Sequence, residues 1–346
     1  MPAFFGRYQA AIDQAMRTEL RPHTLPLYTT LRYYLGWVDT EGNYDPQPAG
    51  KRVRPTLCLL ACEAAGGDPE DALPAAVSLE FVHNFSLVHD DIEDGDRTRR
   101  HRPTAWAVWG VPIAVDSGNA FLCAADLAVA RLTEREIPAE TALVAGHAIA
   151  EHYLRMVEGQ YLDISFESRI DVSVAEYLGM IRRKTGALLE CSVYAGAMIG
   201  SSRRRADTVV DGLRAVGREL GYVFQIRDDV LGVWGGQETG KPVGADIERK
   251  KKSLPAIHAL EHARGAAGQE IRTAYRQERI DGAHLERVLE IMDDLHTQDY
   301  CDSLARQHWQ SAKSMLESST LGDGALAGGT AHDFTELGEF LLARQS

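Results

Sequence analysis

The sequence predicts an all-α protein, on three observations. Apolar residues recur at three- and four-residue spacing through most of the chain, no alternating run bounded by hairpin turns competes with them, and several segments open and close on helix end signals. The 346 residues are 45% hydrophobic and 25% charged, which is enough apolar material for a large core. No linker longer than an ordinary connection divides the middle, so residues 1–346 read as a single domain of roughly ten or more helices.

Individual elements follow from their ends. Pro55 suits the first turn of a helix running into "TLCLLACEAAGG", where Gly66 and Gly67 supply the stop. The next helix is expected to start after Asp71 and to end at Gly95, a residue suited to left-handed backbone. Ser173 and Glu176 form a capping box opening a helix through "EYLGMIRRKTGALLECSVYAGAMIG". Another helix carries "GRELGYVFQIRDDVLGVWG", and Asp333 with Glu336 has the spacing that starts a short last helix. Candidate mobile segments are "GWVDTEGNYDPQPAGKR", "GGQETGKPVGADIERKKK" and the stretch of about residues 318–331.

Composition excludes several roles. The net charge of -13 argues against coating nucleic acid or anionic lipid, both of which need a basic surface. The N-terminus, "MPAFFGRYQAAIDQAMR", has no apolar leader, and the run Ala187 to Gly200 is broken by Glu190 and too short to span a membrane. The expected location is the cytoplasm. The five cysteines, Cys58, Cys62, Cys123, Cys191 and Cys301, read as reduced core residues, and the pair Cys58 and Cys62 lacks the partners a zinc site needs.

The chemistry concentrates in "HDDIEDGDRTRR", where five acidic side chains in seven positions precede three arginines in four. On a helix, His83, Ser86, Leu87, Asp90 and Asp94 share a face, with Asp91 beside them. Carboxylates at a helix C-terminus oppose the macrodipole, a local conflict typical of functional sites. A second helix repeats the arrangement: Gly217, Gly221, Gln225, Asp228 and Gly232 share a face, with Asp229 adjacent. If both faces line one cavity, at least four aspartates oppose one another, and the repulsion and desolvation cost several kcal/mol unless cations intervene. Oxygen ligands without histidine or cysteine select Mg2+ or Ca2+, and Mg2+ characteristically shares carboxylates with substrate phosphates. The implied ligand is a metal-bridged polyphosphate.

Basic residues complete the pattern. Lys51 and Arg54, Arg99 and Arg100, Lys184 with Thr185, and Lys241 with Lys250 to Lys252 could together grip two diphosphates. The segment "GGQETGKP" has the spacing of a nucleotide P-loop up to its lysine, but Pro242 stands where a hydroxyl must bind metal, and a helix precedes it.

The ordered motifs "GKRVRP", "LVHDDIEDGDRTRR", "GQYLD", "KTG", "FQIRDD" and "GKPVGAD" resemble the trans-isoprenyl diphosphate synthases, the polyprenyl synthetase family. The resemblance implies a single large helical bundle, the isoprenoid synthase fold, around a deep central cavity. It also implies a homodimer, with Mg2+ as cofactor in about two or three ions and Mn2+ as a substitute. Isopentenyl diphosphate and an allylic prenyl diphosphate are the substrates it implies. By the same resemblance, Asp90, Asp91, Asp94, Asp228 and Asp229 are metal-site residues. Lys51, Arg54, His83 and Arg100 bind isopentenyl diphosphate; Arg99, Lys184, Thr185, Gln225 and Lys241 bind the allylic diphosphate. The catalytic set is Asp90, Asp91, Asp94, Arg99, Lys184, Asp228 and Lys241. The chain departs from the family pattern at Gly232, where many members carry a third aspartate, and at His101 and Asn119.

Product length depends on the floor beneath Asp90. Ser86 faces the same way and is small, whereas Phe85 lies about 100° around the helix. With an uninserted first motif, this resembles geranylgeranyl diphosphate synthases; farnesyl and longer products are the alternatives. A terpene cyclase or a catalytically silent subunit would not be expected to keep Lys51, Arg54, Arg100 and both aspartate pairs.

Overall fold

The computed structural model describes residues 2–47, 50–202, 207–235, 243–318, 320–321 and 326–343. Sixteen α-helices occur among them. The N-terminal half contains α1 (Phe5–Leu20), α2 (Leu27–Tyr34), α3 (Val53–Ala64), α4 (Pro69–Glu93), α5 (Ala105–Trp109), α6 (Val111–Ala130) and α7 (Ala139–Glu167). Next come α8 (Val174–Ile181), α9 (Ala187–Ser201), α10 (Asp207–Trp234), α11 (Ala245–Glu248) and α12 (Leu254–His262). The chain closes with α13 (Gly265–Arg276), α14 (Gly282–Asp294), α15 (Thr297–Leu316) and α16 (Thr330–Ala343). A two-residue hairpin, β1 (Thr98–Arg99) with β2 (Arg102–Pro103), is the one sheet among the described residues.

Helix ends follow local chemistry. Ser173 accepts from the Glu176 backbone and Glu176 accepts from the Ser173 backbone, the expected reciprocal cap. Gly95 has φ +67, as expected for the end of α4. The start of α4 lies earlier than the sequence suggests: Asp68 accepts from Glu70 N at 2.9 Å and Pro69 occupies the first turn. The last helix also starts earlier, at Thr330, because Asp333 is engaged by Arg7 Nη2 at 3.0 Å and is not the cap. Part of the expected flexible stretch, residues 319 and 322–325, lies outside the described residues.

The largest core packs α1, α3, α4, α6, α7, α9 and α10 around Ile12, Leu60, Phe81, Phe121, Val193 and Leu220. A second cluster lies under α12 to α14, and a third joins α7, α8, α10, α12 and α15 through Phe166, Tyr177, Ile226 and Cys301. Four cysteines are buried as expected, whereas Cys123 is exposed. It sits on the stripe of α6 that also exposes Asp116, Asn119 and Leu127.

Between α8 and α9 the helix widens into one π turn, Arg182–Gly186. Glycines on two neighbours admit it. A Cβ at Gly159 of α7 would lie 2.2 Å from Lys184 N, and one at Gly221 of α10 would lie 2.8 Å from Gly186 Cα. The glycine face of α10 therefore serves close helix contact and, above Gln225, does not open into a cavity.

Candidate active site

Two adjoining cavities lie where α4 and α10 meet the hairpin. The larger, about 890 Å³, is lined by Asp90 and Asp94 from the end of α4 and by Gln225 and Asp228 from α10. Lys184 and Thr185 enter it from the π turn, Asp163 and Glu167 from α7, and Asp246 with Lys250 to Lys252 from α11 and the segment after it. The smaller, about 510 Å³, is lined by Lys51, Arg52, Arg54, Glu80, His83 and Arg100, among others. Arg99 borders both cavities.

The hairpin and loop backbones that present the basic groups are strained. Arg52, Arg100, His101 and Lys250 all have positive φ between 50 and 62 and all line the cavities. Left-handed backbone costs a side-chain-bearing residue about 1–2 kcal/mol. Such strain clusters at ligand sites because the surrounding structure must hold it in place.

Electrostatics distinguish the two cavities. Burial pushes the Asp90 carboxyl up to about 6; Lys184 and Arg99 oppose the shift, while Asp94 and Glu93 add to it. Asp94 is raised by burial as well. Lys184 donates to Asp163; burial acts to lower its pKa, but Asp163, Asp90 and Asp94 outweigh burial and raise it. In the smaller cavity burial lowers the Arg54 guanidinium to about 10, against the pull of Glu80 and Asp228. His83 is held well below its ordinary value, by burial first and then by Arg54, Arg100 and Arg99. It is therefore a neutral imidazole, able to donate a hydrogen bond without adding charge.

Not every expected residue reaches a cavity. Asp91 is 1% exposed and accepts from Tyr34 OH at 2.7 Å and from Arg99 Nε at 2.6 Å. Asp229 accepts from Gln225 Nε2 at 2.9 Å, from Leu254 N at 3.1 Å and from Tyr177 OH. Both are turned toward protein donors, so three aspartates of the two pairs' helices line the larger cavity instead of four or more: Asp90, Asp94 and Asp228. Through Asp229, Gln225 is oriented to accept from Thr185 Oγ1 at 2.6 Å. Lys51 does reach the smaller cavity but is exposed, with Nζ 6.0 Å from the Phe340 ring of α16. Ser86 Oγ donates to the His83 carbonyl at 2.9 Å, and the Phe85 ring stands edge-on to His89 with centroids 4.8 Å apart. Lys241 lies outside the described residues.

The structure adds residues that sequence reasoning did not single out. Asp163 and Asp246 close the motifs "GQYLD" and "GKPVGAD", so their positions were in view but their roles were not. Lys251 stood within a basic run, yet its ammonium pairs with buried Asp246, N to O 3.6 Å. Arg52 pairs with buried Glu80 at 2.7 Å. Tyr34 carries no local signal, since only the tertiary fold brings α2 to Asp91.

The carboxylates of the larger cavity are the donors available to the divalent cation that the resemblance implies. Among the described residues no three carboxylate, histidine or cysteine groups converge tightly enough to hold a metal alone. The available donors are carboxylate oxygens on a roomy cavity wall, facing lysines. That set fits a hard cation such as Mg2+, with the remaining ligands taken from phosphate and water.

Comparison with known proteins agrees with this architecture. The polyprenyl synthetase family model matches residues 36–292. The (2E,6E)-farnesyl diphosphate synthase of Mycobacterium tuberculosis is 44% identical over 257 residues, covering 74% of this chain and 68% of that protein. The geranylgeranyl diphosphate synthase of the same organism is 38% identical over 275 residues, covering 79% of this chain and 76% of that protein. The crystal structure of polyprenyl synthetase from Streptomyces coelicolor A3(2) superposes with a TM-score of 0.87 at 33% identity, covering 98% of each chain. Six ordered motifs, a helical bundle with paired acidic and basic cavities, and these matches establish that the chain belongs to the polyprenyl synthetase family.

Proposed function

We propose that the protein joins isopentenyl diphosphate head-to-tail (1'-4) to an allylic prenyl diphosphate, giving an all-trans product five carbons longer. The observation that carries this reading is the pair of adjoining cavities sharing Arg99, one lined by carboxylates and lysines, the other by arginines and a neutral histidine. The farnesyl and geranylgeranyl synthases among its relatives support the same reaction class.

In this reading the allylic diphosphate occupies the larger cavity. Mg2+, held by Asp90 and Asp94 on one side and Asp228 on the other, would neutralise charge on the leaving diphosphate. Arg99, Lys184 and Lys251 line the same wall and donate to phosphate oxygens as that charge grows, with Lys241 assigned the same task. Thr185 and Gln225, locked by Asp229, orient the diphosphate so that the carbon–oxygen bond ionises toward the neighbouring cavity. Arg54, Arg100, Lys51 and His83 hold isopentenyl diphosphate there, with its double bond beside the allylic carbon. Phe224, Met180, Ile181 and Leu231 contribute apolar walls that keep water from the cation. The departing diphosphate takes the final proton.

For the product, small Ser86 one turn below Asp90 supports geranylgeranyl diphosphate, with Phe85 set aside against His89. A farnesyl product is the second reading, favoured by the 44% identical relative. A homodimer completes the proposal. The helical stretch Val111–Glu134 is long and apolar enough by length and composition to cross a membrane, with 39% of its apolar window buried, and it packs beside α7. Leu127, Leu143, Leu154, Val157 and Tyr161 are exposed on these two helices, and a second copy with the same apolar face would cover them.

Purified protein incubated with Mg2+, labelled isopentenyl diphosphate and each allylic starter in turn tests this proposal by chromatographic sizing of the products. Linear prenyl diphosphates ending at twenty carbons are expected. Cyclic hydrocarbons alone would replace the synthase with a cyclase.

A further inference from the structure

We propose that Tyr34 and Asp91 are positioning residues that hold the Arg99 guanidinium at the junction of the two cavities, and that Asp91 serves this purpose in place of binding metal. The inference rests on the proposed diphosphate chemistry and deepens it.

The geometry is specific. Asp91 is almost completely buried, and each carboxylate oxygen has a protein donor: Oδ2 faces Tyr34 OH at 2.7 Å and Oδ1 faces Arg99 Nε at 2.6 Å. Neither cavity is lined by Asp91, whereas Asp90 and Asp94 on the same helix line the larger one. Binding through Nε leaves the terminal amino groups of Arg99 as donors, and among the described residues no protein acceptor engages them. They are the groups suited to forked contact with phosphate oxygens. The Tyr34 hydroxyl donates to Oδ2 and so orients the carboxylate without cancelling its charge.

The anchor extends beyond one hydrogen bond. The preceding residue, Tyr33, donates through its hydroxyl to the Pro103 carbonyl at 2.8 Å and accepts at its own carbonyl from Arg102 Nη1 at 3.0 Å. Arg102 also stacks 3.9 Å over the Tyr33 ring. Consecutive tyrosines at the end of α2 thus hold both strands of the hairpin, Tyr33 through β2 and Tyr34 through Asp91 to Arg99 on β1. A strained hairpin needs such bracing, because its turn residues Arg100 and His101 both have positive φ.

Steady-state kinetics on Tyr34→Phe and Asp91→Asn, with metal titrations followed by thermal melting, separate positioning from ligation. Tyr34→Phe keeps the ring that packs near Phe121 and removes the hydroxyl alone. KM for both diphosphates is expected to rise about fivefold with kcat within about twofold. A purely structural tyrosine would lower the melting temperature and the active fraction, leaving KM unchanged, and that result would overturn the proposal. Asp91→Asn is expected to raise KM about tenfold. With inorganic pyrophosphate saturating for each variant, it should leave unchanged the Mg2+ concentration that half-protects the protein, whereas Asp90→Asn should shift it about tenfold. An equal shift in both aspartate variants would make Asp91 a metal ligand. The double variant should cost no more than Asp91→Asn alone, since both changes act on one contact. Failure of the wild-type protein to condense any substrate pair would sink the proposed reaction, yet the pyrophosphate melts would still report on Asp91.

Discussion

Gly232 and Asp246 occupy one another's space: a Cβ at Gly232 would lie 2.0 Å from Asp246 Oδ2. Gly232 stands where many family members carry a third aspartate, and here a carboxylate from α11 fills the vacated volume and lines the larger cavity. An aspartate at 232 would displace this carboxylate without adding a ligand. Gly232→Asp alone and Asp246→Ala alone should each lower kcat about tenfold, by the usual worth of one well-placed charged contact. The double variant Gly232→Asp/Asp246→Ala should recover most of the loss. Independent, additive losses in the double variant would show that the two positions do not exchange roles.

Desolvation holds the half-buried Asp90 carboxyl up to about 6, a cost that cation and substrate binding would return. Asp90→Asn should lower turnover by about two to three orders of magnitude. Its melting temperature without ligand should equal or exceed that of the wild type, because an unfavourably buried carboxylate has been removed. Near-normal turnover would remove the first motif from the chemistry, and a collapsed melt would make Asp90 structural.

Acid sensitivity should trace in part to His258, remote from both cavities. Its ring stacks between His262, 4.4 Å away, and Tyr300, 4.2 Å away, with Nδ1 3.0 Å from Thr297 Oγ1. Burial first and neighbouring His262 second lower it from 6.5 to about 4, with Glu261 opposing. The unfolded chain therefore binds a proton between these values that the fold does not. The stabilisation is complete above pH 6.5 and is lost as pH falls toward 4. Melting temperatures measured stepwise across that window should fall less steeply in His258→Gln than in the wild type. Identical slopes would exclude His258 from the effect.

The exposed apolar face of α6 and α7 predicts a dimer that one charge can break. Leu143 is 74% exposed and Leu154 57% exposed. Leu154→Glu should convert dimer to monomer in light scattering after size-exclusion chromatography, with the helical circular dichroism spectrum unchanged. A wild-type protein that elutes as a monomer at micromolar concentration would contradict the assignment of that face.

What could be read from the chain was local, and what could not was tertiary. Asp90 and Asp94 were legible because a four-residue spacing places them on one helical face, and Gly95 was legible because glycine is the residue that ends a helix at φ +67. The start of α4 was missed because Asp71 resembles a cap as much as Asp68 does, and only the hydrogen bond to Glu70 N decides between them. Asp91 and Asp229 sit beside cavity-lining neighbours in sequence, but besides Arg99 and Gln225 nearby, their donors Tyr34, Tyr177 and Leu254 come from 25 to 57 residues away. Periodicity cannot report contacts at that separation. The same limit hid Asp246, whose place is defined by the missing side chain of Gly232.

The central claim is that two diphosphates lie side by side across Arg99, one of them bridged by metal to Asp90, Asp94 and Asp228. The most direct measurement is a crystal structure of the protein with Mg2+, isopentenyl diphosphate and an unreactive thio-linked allylic diphosphate. The account predicts cations between those three aspartates and the allylic diphosphate, with isopentenyl diphosphate on Arg54 and Arg100. Aspartates turned toward solvent with no ion between them, or both diphosphates in a single cavity, would contradict it.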